Sequence, residues 1–258
     1  MNNGKFAVQL YTLRHALTED FAGTLREVKK MGWKAVQIDG LRGHSAEEVK
    51  EALRETNLKV AGMHISPQRM VNDLDAVVYE GLLFGTKSMF CHYLEPERQN
   101  ESGYREIKSQ LLGVADKLAP LGWRVGYHNH EFEFQSQVDG LVAHDYLMAP
   151  ENNRCLYPEI DTYWVKYAGF NPLSCIEKYP YRIPILHLKD IYADPALGYP
   201  ESLAEIGRGS IDFLPILQWG ERYGVEYYAV EQDICPGNPL DSLAISLENL
   251  QRLAQKCA

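Results

Sequence analysis

Short apolar runs recur along this chain, and most of them end on histidine, aspartate or glutamate. The clearest examples are AGMHIS, KSMFCHY, RVGYHNH, LYPEID, RIPILHLKD and YYAVEQD. Five of the eight histidines lie at these endings. Packing alone does not place polar residues so regularly, whereas a barrel of parallel strands gathers its active-site residues at the carboxyl ends of its strands.

The order of elements favours one barrel. The chain has 258 residues, close to the roughly 250 that are typical of a (β/α)8 barrel. Helical patterns alternate with candidate strands that begin near Phe6, Ala35, Lys59, Ser88, Val125, Leu156, Ile183 and Tyr227. A doubly wound open sheet would usually carry a glycine-rich turn after its first strand, and LYTLRHALTEDF has no glycine there. We therefore predict a single α/β domain, a (β/α)8 TIM barrel over residues 1–258.

Composition narrows the class of partner. The formal net charge of −9 disfavours binding to nucleic acid and to anionic membranes. No run of about 18 apolar residues predicts a transmembrane helix, and the start MNNGKFAVQLYTLR lacks the pattern of a signal peptide. Five widely spaced cysteines without a CxxC motif indicate reduced thiols. These features predict a cytoplasmic protein that acts on a small molecule.

Three strand endings carry polar residues two positions apart. Side chains alternate along a strand, so such residues point the same way and can enter the barrel mouth together. The pairs are His128 with His130, Glu159 with Asp161, and His187 with Lys189.

Three of the strand endings together predict a metal centre. Asp161, His187 and Glu231 come from the sixth, seventh and eighth candidate strands, which are neighbours in a barrel. Oxygen and imidazole ligands without a thiolate suit a divalent ion such as Mn, Co, Zn or Mg. A fourth protein ligand from the fifth strand would complete the set.

Several motifs resemble one known superfamily. Residues 127–134 read YHNHEFEF, and the chain also carries VQLYTLR, EIDTYW, HLKD, EIGRGSIDF and VEQD in the corresponding order. This combination spans the chain and resembles the xylose isomerase-like TIM-barrel superfamily, whose members are often called sugar phosphate isomerases/epimerases.

The resemblance implies a ligand set but leaves one member open. In this superfamily a single divalent ion is held by Glu, Asp, His and a second Glu from strands five to eight. Asp161, His187 and Glu231 carry over directly, whereas His128 stands where the strand-five Glu would be. Either His128 binds the metal, or Glu133 reaches back to do so. The expectation favours Glu133, because the superfamily site keeps two Glu carboxylates, and His128 would then be free for acid–base chemistry.

Three functions remain open on the sequence. The first is a metal-dependent sugar or keto-sugar isomerase or epimerase, in which His128 and Glu231 move a proton through an enediolate and Lys189 polarises a carbonyl. The second is a dehydratase of an inosose or a 3-keto sugar, since dehydratases of the same superfamily use a related His-rich ending of strand five. The third is a sugar-binding barrel without catalysis. The resemblance also implies that the chain can form a homo-oligomer.

The remaining polar and aromatic residues are assigned by position. Trp164 stands where DNA-repair relatives have a further histidine ligand, so a trinuclear nucleic-acid site is disfavoured. Two interpretations of Glu159 remain open: its carboxylate forms an ion pair with Lys189 inside the barrel, or this pair does not form. His15, His44 and His144 are expected to be solvated. The predicted substrate contacts are His64, His92, His130, Trp164 and Arg208, the last as an anion contact in GRGSIDF.

Overall fold

Eight parallel strands form the centre of the molecule in the computed structural model, which describes residues 1–257. Numbered along the barrel, they are β1 (Phe6–Gln9), β2 (Ala35–Asp39), β3 (Lys59–Ile65), β4 (Ser88–Cys91), β5 (Arg124–His128), β6 (Tyr157–Glu159), β7 (Ile185–Leu188) and β8 (Tyr227–Val230). Their order in the sheet is β6-β5-β4-β3-β2-β1-β8-β7, and every pairing is parallel. The predicted (β/α)8 barrel is confirmed, and each predicted strand start lies within two residues of the observed one.

The barrel closes between β6 and β7, just beyond the end of β6. Asp161 and His187 form a parallel bridge there. The backbone N–H of His187 donates to the carbonyl oxygen of Ile160 at 3.0 Å. Two of the predicted metal ligands therefore face each other at the seam of the barrel.

Helices follow the strands and cover the outside of the barrel. Their ends follow local signals: Ser45 and Glu48 form a capping box, and Gly85 and Gly224 end their helices at positive φ. None of the helices within residues 1–257 is long and apolar enough to cross a membrane. The helices are Arg14–Glu19, Phe21–Lys30, Ala46–Thr56, Pro67–Asn72, Leu74–Phe84, Glu101–Leu118, Phe132–Gln135, Ala143–Met148, Thr162–Tyr167, Pro172–Ile176, Phe213–Tyr223 and Pro239–Gln255.

The inside of the barrel changes from apolar to polar along the strands. One layer is a buried apolar cluster of Ala7, Ala35, Ala61, Phe90, Ile185 and Ala229. Because strand side chains alternate, the residues two positions further on point the same way and form the next layer. That layer contains Gln9, Gln37, His92, His187 and Glu231. Glu159 belongs to it as well, because it lies two positions beyond Tyr157, which packs against the apolar cluster. The polar residues thus lie at the carboxyl ends of the strands, above an apolar floor.

Candidate metal centre and substrate pocket

A cavity of about 880 Å³ opens above this polar layer. It is lined by residues from the ends of several strands, as in other barrels of this kind. Most of the predicted catalytic and substrate-binding residues lie in its wall, namely His64, His92, His128, His130, Trp164, Lys189 and Glu231.

Glu159 is the centre of a buried hydrogen-bond network under the cavity. Its Oε1 accepts from Gln37 Nε2 at 2.7 Å, and its Oε2 lies 2.5 Å from His64 Nε2. The same Oε2 lies 3.2 Å from His128 Nδ1 and 3.3 Å from His187 Nε2. The side chain is fully buried. The sequence left open an ion pair between Glu159 and Lys189. This pair is not formed, because the Glu159 carboxylate faces the histidines instead.

Two glutamines lie within hydrogen-bond distance of the rings of His64 and His187. The Gln9 amide nitrogen can only donate, so it donates to His64 Nδ1 at 3.0 Å, and His64 Nε2–H donates to Glu159. Gln37 already donates to Glu159 through Nε2, so its Oε1 accepts from His187 Nε2–H at 2.8 Å. The network is consistent throughout, because every donor in it faces an acceptor.

This network leaves two imidazole lone pairs facing two carboxylates. His187 Nδ1 lies 3.3 Å from Glu231 Oε2, and His128 Nε2 lies 3.8 Å from Asp161 Oδ2. Asp161 Oδ2 is buried and has no hydrogen-bond partner among the described residues. A lone pair facing a carboxylate oxygen requires a cation between them, either a proton or a metal ion. Burial disfavours a proton on His187, but the carboxylates of Glu159 and Glu231 outweigh it and raise the pKa of this imidazole.

The four facing groups fit a divalent ion. One ligand atom from each of His128, Asp161, His187 and Glu231 lies within 4.8 Å of the other three, and all four residues are buried. Two imidazole nitrogens and two carboxylate oxygens suit Mn, Co or Zn. Such an ion would act as a Lewis acid on a substrate carbonyl.

The local charge also fits a bound cation. Lys189 Nζ lies 2.6 Å from Asp233, 3.5 Å from Glu231 and 3.8 Å from Asp161, so one ammonium faces three buried carboxylates. The Lys189 ammonium cannot neutralise all three. Burial accordingly raises the pKa of Asp161 to about 7, although Lys189 opposes the shift. Excess buried negative charge is costly unless a cation compensates it.

Glu133, the favoured fourth ligand from the sequence, lies outside this group. Its Oε1 accepts from the Tyr127 hydroxyl at 2.6 Å, and its Oε2 accepts from the backbone N–H of His130 at 2.7 Å. The carboxyl is fully buried, and burial raises its pKa to about 8. Glu133 thus holds the turn after β5, and His128 is the fourth member of the facing group.

His130 lies in the cavity wall beside the ligand group. Its ring is packed between Tyr93, Phe132 and Trp164, with ring centroids 5.2–5.3 Å away. Its Nδ1 is buried without a hydrogen-bond partner among the described residues. Burial, followed by the nearby Lys189 charge, lowers the pKa of His130 well below its ordinary value. The imidazole is therefore neutral.

Two residues lie in surroundings that the sequence did not predict. Arg208 does not line the cavity; its side chain is about half exposed and its nearest acidic partner is Glu205, at 3.8 Å. His144, expected to be solvated, is fully buried and stacks on Phe134 with ring centroids 4.9 Å apart. His15 is exposed as expected, and His44 is half-buried.

Sequence reasoning also missed part of the site. Gln9 and Gln37 were not assigned a role, although each is a lone amide two residues beyond an alanine in an apolar strand. Asp233 was noted only as a strand ending, and its contact with Lys189 depends on the eighth strand lying beside the seventh. Tyr199 reaches the cavity from a loop whose path the sequence does not predict.

The comparisons with known proteins agree with this architecture. No protein-family model matches the chain. A sugar phosphate isomerase/epimerase from Parabacteroides distasonis has the same fold, with a TM-score of 0.76 at 20% identity over 97% of this chain and 94% of that one. The chain has a xylose isomerase-like TIM-barrel fold. The IOLI protein, solved with a bound zinc atom, also shares it, with a TM-score of 0.72 at 16% identity over 98% of this chain and 99% of that one.

Similarity at the level of sequence extends to a named enzyme. The chain is 24% identical over 264 residues to the inosose dehydratase of Clostridium botulinum (strain Alaska E43 / Type E3), covering 86% of this chain and 85% of that protein.

A pair of substitutions separates the two candidate fourth ligands. We expect His128→Ala to lower Mn²⁺ affinity by more than about tenfold and Glu133→Gln to leave it within about twofold, since removal even of outer-shell partners typically costs 10–100-fold. Titration of the purified variants with Mn²⁺, followed by its electron paramagnetic resonance signal, measures both. The assignment fails if Glu133→Gln loses the metal and His128→Ala keeps it.

Glu133 also predicts a pH-dependent stability. Its pKa is about 8 in the folded protein against an ordinary value of 4.5, so the folded state holds a proton that the unfolded state releases. The contribution of this bound proton to the free energy of unfolding is therefore fully present below pH 4.5 and is lost as the pH rises through 8. In urea unfolding, the free energy of unfolding should fall less between pH 6 and pH 9 for Glu133→Gln than for the wild type. An equal loss would contradict the buried, protonated carboxyl.

Proposed function

We propose that this protein is a divalent-metal-dependent lyase that removes water from a polyhydroxylated ketone such as an inosose or a 3-keto sugar. The observation that carries the proposal is that a neutral, unpartnered imidazole, His130, lines the same cavity as the four-residue ligand group. The likeness to an inosose dehydratase over most of both chains supports the lyase over the isomerase that the sequence favoured.

In this proposal His130 takes the role of base that the sequence assigned to His128. His128 is turned into the ligand group by Glu159, so its free nitrogen is not directed at substrate. His130 lies 5.2 Å from it, centroid to centroid, and is held by aromatic rings without a hydrogen bond to its Nδ1. Burial lowers the pKa of His130 and keeps the ring neutral at pH 7, while the nearby Glu231 carboxylate favours the imidazolium that forms when the ring accepts a proton.

The reaction then requires one proton to move twice. His130 accepts the proton from the carbon next to the carbonyl. The electrons of that C–H bond form a C=C bond while the C–O bond of the β-hydroxyl breaks. The imidazolium of His130 returns its proton to the departing hydroxide, so the products are an unsaturated ketone and water. Lys189, whose ammonium lies 5.1 Å from the centre of the Trp164 ring, faces the same cavity and can hold the negative charge that develops on the carbonyl oxygen.

Aromatic side chains form the outer wall of the cavity. Trp164 lies 5.2 Å from Tyr199 and 5.8 Å from Tyr167, measured between ring centroids. The Tyr199 backbone N–H lies 3.3 Å from the Tyr167 hydroxyl, to which it donates. Such rings pack well against the C–H faces of a sugar or cyclitol, and a volume of about 880 Å³ accommodates a ring of that size.

Tyr199 gives a prediction about substrate recognition. We expect Tyr199→Ala to raise KM by about 2–10-fold with little change in kcat, since an aromatic contact contributes about 0.5–1.5 kcal/mol. Tyr192→Ala is the matched control, because Tyr192 lies on the same loop, is similarly exposed and does not line the cavity. Steady-state kinetics on both variants measures the effect, and equal KM values for the two would exclude Tyr199 from the binding wall.

An isomerase or epimerase is the second candidate. Glu131 and Asp233 line the same cavity, so a second carboxylate is available to return a proton on the opposite face of the substrate. The fold shared with a sugar phosphate isomerase/epimerase is compatible with this chemistry.

One experiment distinguishes the candidates. The protein is incubated with Mn²⁺ and a panel of inososes and keto-sugars in D₂O, and the products are followed by NMR and by ultraviolet absorbance. Loss of a hydroxyl with enone absorbance supports the lyase. Deuterium incorporation without loss of water supports the isomerase or epimerase. Binding without exchange for every compound would leave the non-catalytic sugar-binding barrel. His130→Gln should retain Mn²⁺ and lose exchange if His130 is the base.

The proposed function also implies the kind of partner. A sugar-like small molecule is the proposed partner. The cytoplasmic location, the homo-oligomer and the lack of nucleic-acid or membrane partners stay predictions from the sequence.

A further inference from the structure

We propose that Glu159 and Gln37 are positioning residues, which fix the ring tautomers of His128 and His187 so that both lone pairs face Asp161 and Glu231. This inference concerns the ligand group on which the proposed function depends, but it assigns a role to two residues outside that group.

The first step of the argument is directional. Glu159 Oε2 can only accept, and it lies 3.2 Å from His128 Nδ1, so that nitrogen carries the proton and Nε2 carries the lone pair. His128 Nε2 is the atom that faces Asp161 Oδ2 at 3.8 Å. If Glu159 were not an acceptor, either tautomer of His128 could form.

The second step concerns the opposite ring. Gln37 donates to Glu159 Oε1 at 2.7 Å, which turns its own Oε1 toward His187 Nε2 at 2.8 Å. His187 Nε2 therefore holds a proton, and Nδ1 is the atom left for Glu231 at 3.3 Å. Glu159 thus acts on His128 directly and on His187 through the orientation of one amide.

A purely structural role does not account for these residues. Gln37 and Glu159 are fully buried, and the barrel layer below them is filled by alanine, phenylalanine and isoleucine. Burying a carboxylate and an amide costs free energy that apolar residues of similar volume would avoid. The network also ends at the ligand group, which is where the direction of a ring nitrogen has a chemical consequence. Histidine ligands are commonly held in this way by a partner on their other nitrogen.

The wild-type protein provides a test that needs no turnover. In the full-length, ¹⁵N-histidine-labelled protein without metal, long-range ¹H–¹⁵N NMR spectra report which ring nitrogen carries the proton. We expect a protonated Nδ1 on His128 and a protonated Nε2 on His64. In the Zn²⁺-loaded protein we expect His187 to keep its proton on Nε2. A proton on Nε2 of His128 in the metal-free protein would overturn the inference.

Substitution of Glu159 provides the second test. Glu159→Gln replaces an acceptor by a group that can donate, so we expect His128 to lose its single tautomer and the Kd for Mn²⁺ to rise by about 10–100-fold. Glu133→Gln is the matched control, because it makes the same change at an equally buried site outside the network. Unchanged Mn²⁺ affinity in Glu159→Gln would overturn the inference.

Gln37→Met covers the case in which Glu159→Gln does not fold. It removes the amide that links Glu159 to His187 and keeps the volume, so a rise in the Mn²⁺ Kd of about tenfold or more is expected. An unchanged Kd would contradict the role of Gln37. These readouts are tautomers and metal affinity, so the inference can fail while the wild type still dehydrates its substrate. It can also hold while no tested ketone is turned over.

Discussion

Asp161→Asn and Glu231→Gln are each expected to weaken Mn²⁺ binding by more than about 100-fold and to remove turnover. Both substitutions keep the shape of the side chain and remove an anionic ligand atom from a buried group of four. Loss of a ligand should exceed the 10–100-fold effect typical of an outer-shell partner. Mn²⁺ titration of the purified variants and turnover of the best substrate measure both effects.

The stability of Asp161→Asn separates loss of metal from loss of fold. Asp161 Oδ1 also caps the helix Thr162–Tyr167 by accepting from the backbone N–H groups of Tyr163 and Trp164. Asparagine is an equally good cap, so the metal-free variant should unfold within about 1 kcal/mol of the metal-free wild type. Asp212→Asn is the matched control, since Asp212 caps the helix Phe213–Tyr223 and is not a member of the ligand group. If Asp161→Asn binds Mn²⁺ as tightly as this control, the proposed centre is wrong.

Lys189→Met is expected to produce the largest loss of stability of any single substitution at the site. Lys189 is almost fully buried, and its ammonium faces the carboxylates of Asp233, Glu231 and Asp161. Burial alone would lower its pKa, but these carboxylates outweigh burial and hold the pKa well above the ordinary value for lysine. Removing one partner from a buried ion pair costs about 3–5 kcal/mol, because the other charge is left uncompensated.

Urea unfolding with and without Mn²⁺ measures this effect. The loss should be smaller with Mn²⁺, because a divalent ion supplies part of the missing positive charge. The double variant Lys189→Met with Asp233→Asn should recover part of the loss, since it also removes the carboxylate 2.6 Å from the ammonium. A loss below about 1 kcal/mol for Lys189→Met without metal would show that the ammonium does not neutralise this cluster.

Much of the fold and part of the site could be predicted because the signals are local. Alternation along a strand places Ala35 and Gln37 on one side, and a glycine such as Gly85 marks the end of a helix within a few residues. Strand starts were therefore close to the observed ones. Asp161, His187 and Glu231 could be named for the same reason, since each directly follows or ends a recognisable strand.

The surroundings of Glu133 show a limit of the same reasoning. The sequence shows that Glu133 follows β5 by a few residues, but not that Tyr127 and the backbone of His130 already bind its carboxyl group. The roles proposed for His128 and His130 likewise depend on which neighbours each ring meets. Such contacts are decided by packing, which spacing along the chain does not encode.

The sequence by itself thus determined a parallel barrel with carboxylates and imidazoles at its strand ends, because both follow from periodicity and from the order of elements. Only the tertiary structure decided which nitrogen of each histidine faces the ligand group. The bonds that make this choice join residues 122 positions apart in Gln37 and Glu159, and 150 positions apart in Gln37 and His187. A side chain's direction along a strand is a local property, whereas the position of a ring proton is set by whichever acceptor the closed barrel brings to it.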